Sequence, residues 1–239
     1  MEREVQKYGF MNACQYSTNE FAYIEPYSKV ARGRFGLKPL FWNPVTRETS
    51  RYPEFSLLEF PVGHLWDASH GRMVCWDPMI YDDPNYHEID TTDYIDNISE
   101  SVKELDYDAA MLSDGIGSQI LAEFLDRDTL VYHVGTDIPE YVTKKFRNWK
   151  VVPKTIRKFN EMEQLHWHLG NNKTLVCGAG IRELFVNNGI MDLSKIANSG
   201  INAESPFLNV DFVNLVLGKT DPTKRASALA NILNFFQSS

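Results

Sequence analysis

Apolar residues along the chain recur at two spacings, and the second half of the sequence alternates between them. Ala109–Leu112 is a short apolar run of buried-strand type. Ser113-Asp114-Gly115-Ile116-Gly117-Ser118 interrupts it as a turn, after which Ile120, Leu121, Phe124 and Leu125 recur at helical spacing. Thr129–Gly135 reads as the next strand, Glu140–Trp149 as a basic helix and Trp149–Val152 as a short strand. Asn160–Leu169 reads as a helix, Lys173–Cys177 as a strand, and Gly178–Phe185 as a second glycine-rich turn running into a helix. Upstream, Ile95, Ile98, Val102 and Leu105 mark one face of an amphipathic helix over 93–105, capped by Thr91 or Thr92. Residues 210–217 and 226–236 read as closing helices. Strand–helix–strand succession over 105–185 predicts a parallel α/β sheet with right-handed crossovers. Ligands of such sheets sit at the carboxyl ends of the strands. Leu112–Gly117 and Val134–Thr136 are therefore candidate ligand neighbours.

The first third of the chain has a different texture. Residues 1–30 are mixed and aromatic, with strand-like alternation at Phe21-Ala22-Tyr23-Ile24. Two glycines and a proline punctuate Ala31–Trp42, and Leu40-Phe41-Trp42 reads as a strand start. A hairpin is expected to turn at His70-Gly71. Residues 79–93 carry a solvated acidic run, including Asp82, Asp83, Glu88 and Asp90, and mark the expected domain boundary. The expected division is a β segment over 1–78, a linker over 79–93 and an α/β domain over 94–239.

Composition narrows the function classes. A chain of 239 residues forms one large domain or two small ones and needs no covalent staples. Its net charge of −8 argues against nucleic acid or an anionic membrane as the main partner. Cys14, Cys75 and Cys177 have no metal-ligand spacing; an odd number this far apart fits thiols in a reducing cytoplasm. No apolar run approaches the roughly 20 residues of a membrane span, and the charged start Met1-Glu2-Arg3-Glu4 is unlike a signal peptide.

The candidate chemistry lies in the two glycine-rich turns. A strand-to-helix turn points backbone N–H groups and a helix N-terminus at one spot, which suits an anion such as phosphate. Leu112, Ser113, Gly115, Gly117, Ser118, Gly135, Gly178 and Gly180 are the candidate nucleotide contacts. The competing reading makes 113–118 an ordinary turn with Ser118 as N-cap. His166 and His168 are not read as a metal pair, because residues two apart on a helix do not face each other. His64 is assigned a structural hydrogen bond.

The first turn resembles a degraded Ser-Gly-Gly-x-Asp-Ser, the pyrophosphate loop of the N-type ATP pyrophosphatases, the family of asparagine synthetase and β-lactam synthetase. Four further stretches follow the same family in the same order. Ala31-Arg32-Gly33-Arg34-Phe35-Gly36-Leu37-Lys38-Pro39-Leu40-Phe41-Trp42 is similar to its glutaminase segment Ala-Arg-Asp-Arg-Phe-Gly-Ile-Lys-Pro-Leu-Tyr-Tyr, with Gly33 in place of Asp. Residues 60–78 resemble its Pro-Pro-Gly-His linker and the strand beyond. Gly178-Ala179-Gly180-Ile181-Arg182-Glu183-Leu184-Phe185 resembles Gly-Asp-Gly-x-Asp-Glu-Leu-Phe, and 204–209 resemble the Pro-Phe-Leu-Asp turn. Together they cover roughly residues 20–236.

The resemblance implies an ATP pyrophosphatase-like, Rossmann-like parallel α/β domain behind a truncated glutaminase-like β segment. It implies ATP and Mg²⁺ as ligands, with adenylation of a small carboxylate substrate and amide formation by an ATP-dependent ligase. The family's N-terminal cysteine nucleophile has no counterpart, since Glu2 follows Met1; glutaminase activity is expected to be absent. Both signature aspartates are replaced, by Gly117 and Arg182. Asp114 is left as the candidate Mg²⁺ ligand, Arg182 as a fixed cation for pyrophosphate, and Glu183 as the third candidate catalytic group. The alternative is a catalytically degenerate nucleotide-binding or scaffold protein acting through a protein partner or as a homodimer.

Overall fold

A computed structural model describes residues 1–17, 21–52, 54–76, 86, 89–157, 160–170, 173–187, 196 and 199–237. The chain divides into two compact units, Met1–Ile80 with Leu193–Gly200, and Tyr81–Asp192 with Ile201–Ser239. The break after Ile80 falls inside the 79–93 stretch, most of which lies outside the described residues. Residues 193–200, read from sequence as part of the α/β domain, group with the first unit instead.

The first unit opens with two helices that the aromatic mix of 1–30 did not suggest, α1 (Glu2–Tyr8) and α2 (Phe10–Tyr16). Gly9, at φ 82°, turns the chain between them. Strands β1 (Ala22–Glu25), β2 (Lys29–Arg32), β6 (His64–Asp67) and β7 (Arg72–Cys75) pair antiparallel in that order. Side chains alternate across this sheet. Ala31 and Leu65 pack with Phe10, Cys14 and Trp76 on one face, and Val30 and Trp66 with Leu40, Trp42 and Phe60 on the other. β3 (Phe41–Trp42), between β4 (Thr49–Ser50) and β5 (Leu58–Glu59), forms a second small sheet.

The segment 33–40 winds around one side chain. The Arg32 guanidinium, 2% exposed, donates to the carbonyls of Gly36 (2.9 Å), Lys38 (3.1 Å) and Phe60 (2.7 Å) and to the Glu59 carboxylate (2.7 Å). Only a planar fork with several fixed donors reaches partners so arranged. Gly36 turns at φ 72°, and a Cβ there would stand 2.6 Å from Val62 Cγ1. His64 Nδ1 bonds the Val62 carbonyl at 2.7 Å, a local structural contact.

The second unit is mixed α/β. Its sheet has five parallel strands in the order β10-β9-β8-β11-β12, namely Asn148–Val152, Leu130–Val134, Ala109–Met111, Thr174–Cys177 and Asn202–Glu204. Counted along the unit, that order is 3-2-1-4-5, compatible with a Rossmann-like fold, and it reverses between β8 and β11. α4 (Ile116–Phe124) follows β8, α5 (Glu140–Lys145) follows β9, α6 (Glu161–Leu169) follows β10 and α7 (Ile181–Phe185) follows β11.

Three local expectations shift. α3 (Thr91–Lys103) takes Asp90, not a threonine, as its N-cap, because the Asp93 carboxylate reaches back to the Asp90 N–H at 3.1 Å. Its buried face is Tyr94, Ile98, Ser101 and Val102, turned from the expected stripe so that the Tyr94 hydroxyl meets Thr220 Oγ1 at 2.6 Å. α5 stops at Lys145, so Arg147 and Trp149 belong to the loop and strand beyond. Phe207 and Leu208 are fully buried core residues.

Arg32→Met would strand three buried carbonyls, each costing about 1–3 kcal/mol. The expected loss is about 3 kcal/mol or more, seen as a fall in the thermal midpoint of roughly 6–12 °C. Arg32→Lys recovers less than half of it, because an ammonium cannot fork; differential scanning calorimetry of both variants is the check.

Candidate functional site

The two glycine-rich turns meet backbone to backbone where the strand order reverses. A Cβ placed on Gly117 would lie 2.0 Å from the Gly178 carbonyl oxygen, and one placed on Gly178 would lie 2.3 Å from the Gly117 carbonyl carbon. No side chain fits at either position. These glycines therefore bring α4 onto the β11 turn, and no metal-ligating aspartate can occupy position 117 without parting the turns. Gly180, at φ +95°, closes in the same way over the core, where its Cβ would stand 2.5 Å from Leu208 Cδ2. Ser205 Oγ donates to the Ala179 carbonyl at 2.6 Å and ties this turn to β12.

The β8 turn is held by its own polar groups. α4 begins at Ile116 with Gly115 as N-cap, so the expected N-cap Ser118 lies inside the helix. Its hydroxyl meets Ser113 Oγ at 3.2 Å. The Gly115 N–H donates to Ser113 Oγ at 3.3 Å, and Gln119 Nε2 donates to the Asp114 carbonyl at 2.9 Å. Tyr141 on α5 donates its hydroxyl to the Ser113 carbonyl at 2.6 Å. Burial, and then the Asp114 charge, push the Tyr141 phenol well above its ordinary range, so it stays a donor.

Beside this turn, at the carboxyl ends of β8 and β9, lies an open cleft of about 430 Å³. Its walls are Ser113, Asp114 and Gly115 from the β8 turn, His133–Asp137 from the end of β9, and Glu161 from the first turn of α6. The ends of two neighbouring parallel strands form it, as the alternation of elements leads one to expect. Of the sequence candidates, the cleft collects Ser113, Asp114, Gly115 and Gly135. Leu112 sits buried just behind it, giving its carbonyl to His133 Nδ1 at 3.0 Å. Gly117, Ser118, Gly178 and Gly180 serve packing between turns rather than lining the cleft. Arg182 is exposed on α7 and Glu183 half-buried, and neither is among the cleft's described walls.

Three wall residues escaped the motif reading. Glu161 carries no sequence signal toward the cleft. Asp137 had one: it stands 20 positions after Gly117, at the end of the second strand, where Rossmann-like sheets place a ribose-binding acid about 20 residues past the glycine turn. His133, 6% exposed, reads in sequence only as one more strand residue.

The charged walls are all anionic. Asp114, Asp137 and Glu161 line the cleft, and its described walls include neither lysine nor arginine. Such a site favours donors, such as sugar hydroxyls and base amino groups, and repels bare phosphate. Among the described residues, no three His, Cys, Asp or Glu side chains converge closely enough to hold a metal ion. Mg²⁺ has no protein-only cage here, although the exposed Asp114 carboxylate fits as one ligand of an ion shared with phosphates. Among the described residues, no helix is long and apolar enough to cross a membrane. No family model matches the chain, and no curated protein matches it significantly.

Gly117→Ala and Gly117→Asp should each destabilise the protein by about 3 kcal/mol or more, because backbone must move. Gly115→Ala, whose Cβ would meet only Ser113 Oγ at 3.4 Å, should cost less than about 1 kcal/mol. Chemical denaturation midpoints of the three variants separate a packing role for Gly117 from a loop-flexibility role.

Proposed function

We propose that the second unit is an asparagine synthetase-like, ATP pyrophosphatase-type domain that binds an adenine nucleotide at the β8–β9 cleft and no longer turns it over. The observation that carries this reading is the cleft itself, at the carboxyl ends of adjacent parallel strands and beside a glycine-rich strand-to-helix turn. The nucleoside half enters the cleft. Asp137 accepts from the ribose hydroxyls, and Gly135 admits the sugar or base against the backbone. The phosphates run toward the 113–116 turn and the start of α4, where N–H groups and the helix dipole favour them.

Mg²⁺, held by Asp114 and the phosphates together, supplies the charge neutralisation that the anionic walls withhold. The same walls argue against catalysis. Adenylation builds negative charge on departing pyrophosphate, which positively charged groups must stabilise. Gly117 takes the place of one signature aspartate and has no room for it. Arg182, the nearest candidate cation by sequence, lies off the cleft walls. The amide ligase reading remains as the second, favoured by the placement of Asp114 in the cleft mouth, where a re-formed turn makes it the metal ligand. In the first unit, the segment around Arg32 is retained as packing for a glutaminase-like β remnant.

Isothermal titration of ATP and of a non-hydrolysable analogue, with and without Mg²⁺, tests the reading. Expected is saturable binding that strengthens with Mg²⁺ and weakens about tenfold or more in Asp137→Ala. Pyrophosphate release with candidate carboxylates should stay at background; release above it moves the conclusion to the ligase. Absence of binding at millimolar nucleotide overturns both.

A further inference from the structure

We propose that His133 reads the base of the bound nucleotide, as a fixed hydrogen-bond acceptor that selects a 6-amino purine over a 6-oxo purine. This rests on the nucleotide reading of the cleft and names the residue that sets its specificity. His133 lies at the end of β9 with 6% of its surface exposed. Its ring leans across to β8, where Nδ1 is 3.0 Å from the Leu112 carbonyl oxygen. A carbonyl only accepts, so Nδ1 carries the hydrogen, and in the neutral form of the ring the lone pair is at Nε2.

Among the described residues, Nε2 makes no hydrogen bond. It faces the cleft beside Gly135, close enough that a Cβ on that glycine would lie 2.9 Å away. Nε2 is open to the cleft rather than sealed in the core, so a donor on a ligand can complete it. The charged groups facing the same space are Asp114 from the β8 turn, Asp137 from the β9 turn and Glu161 from α6. The Tyr141 hydroxyl is engaged with Ser113. Of the wall hydroxyls, Thr136 Oγ1 donates to the Asp137 carboxylate at 3.1 Å and Ser113 Oγ pairs with Ser118 Oγ at 3.2 Å. The exocyclic amino group of adenine supplies the donor. The oxygen of hypoxanthine at the same position would set lone pair against lone pair.

ATP and ITP differ at this amino or oxo position, and titrating each, with Mg²⁺ at pH 8, into the full chain is the test. ATP should bind about tenfold or more tightly than ITP. In His133→Gln, whose amide offers either a donor or an acceptor by rotation, the two affinities should come within about twofold. Far-ultraviolet circular dichroism reports whether that variant is folded, and the comparison on the unaltered protein decides the matter if it is not. Equal affinity for ATP and ITP in the unaltered protein overturns the role of His133 while leaving nucleotide binding standing. Discrimination that survives intact in folded His133→Gln overturns it as well. Failure of both nucleotides to bind removes this proposal together with the nucleotide reading.

Discussion

The α/β unit depends on one contact, the approach of the Gly117 and Gly178 backbones. It brings the first turn of α4 against the turn that follows β11, where the sheet reverses its strand order. The space a side chain would need is taken by carbonyl atoms 2.0 and 2.3 Å from the ideal Cβ positions. Burial then builds outward from the meeting point. Ile120 and Leu121 of α4 and Ile181, Leu184 and Phe185 of α7 are all within 2% of complete burial. Gly180 closes on Leu208, and Ser205 fixes the Ala179 carbonyl. A glycine pair read as a phosphate device is, in the folded chain, a packing device.

The cleft beside that contact is governed by a second constraint, the absence of positive charge among its described walls. Asp114, Asp137, Glu161 and the Nε2 lone pair of His133 are all acceptors. Coulomb repulsion across such a space is modest in water but grows as a ligand excludes solvent. A nucleoside, rich in hydroxyl and amino donors, matches it without assistance. A triphosphate needs a divalent ion and the helix N-terminus to approach. Binding and turnover therefore separate physically. On the proposed reading, the acceptors that would meet a nucleoside line the cleft, whereas its described walls carry no cation to stabilise a leaving pyrophosphate. The deeply buried Arg32 guanidinium serves the fold of the other unit.

Periodicity was enough to find the α/β unit. Ala109–Leu112, Thr129–Gly135 and Lys173–Cys177 are apolar enough to be central strands, and each precedes a turn with glycine or a loop running into a helix. Single-residue signals failed where a reciprocal pair or a tertiary partner prevailed. Thr91 and Thr92 are good caps, yet Asp90 with Asp93 makes a better reciprocal pair. Ile95 belongs to the expected apolar stripe, yet the helix turns to bury Tyr94 beside Phe185 and Thr220. The helices of residues 2–16 carry aromatic and polar residues without a clean 3.6-residue stripe. Packing against the antiparallel sheet, through Phe10 and Cys14, holds the second of them.

What the sequence by itself determined is the order of strands and helices over 105–185, and with it a parallel sheet. Strand and helix periods are properties of consecutive residues, so they survive without any tertiary information. Which glycines line a cleft and which press two backbones together was decided only in three dimensions, because that depends on residues 61 positions apart. The same holds for His133. Its neighbours in sequence make it an ordinary strand residue, and only the Leu112 carbonyl across the sheet locks its tautomer and leaves Nε2 facing the cleft.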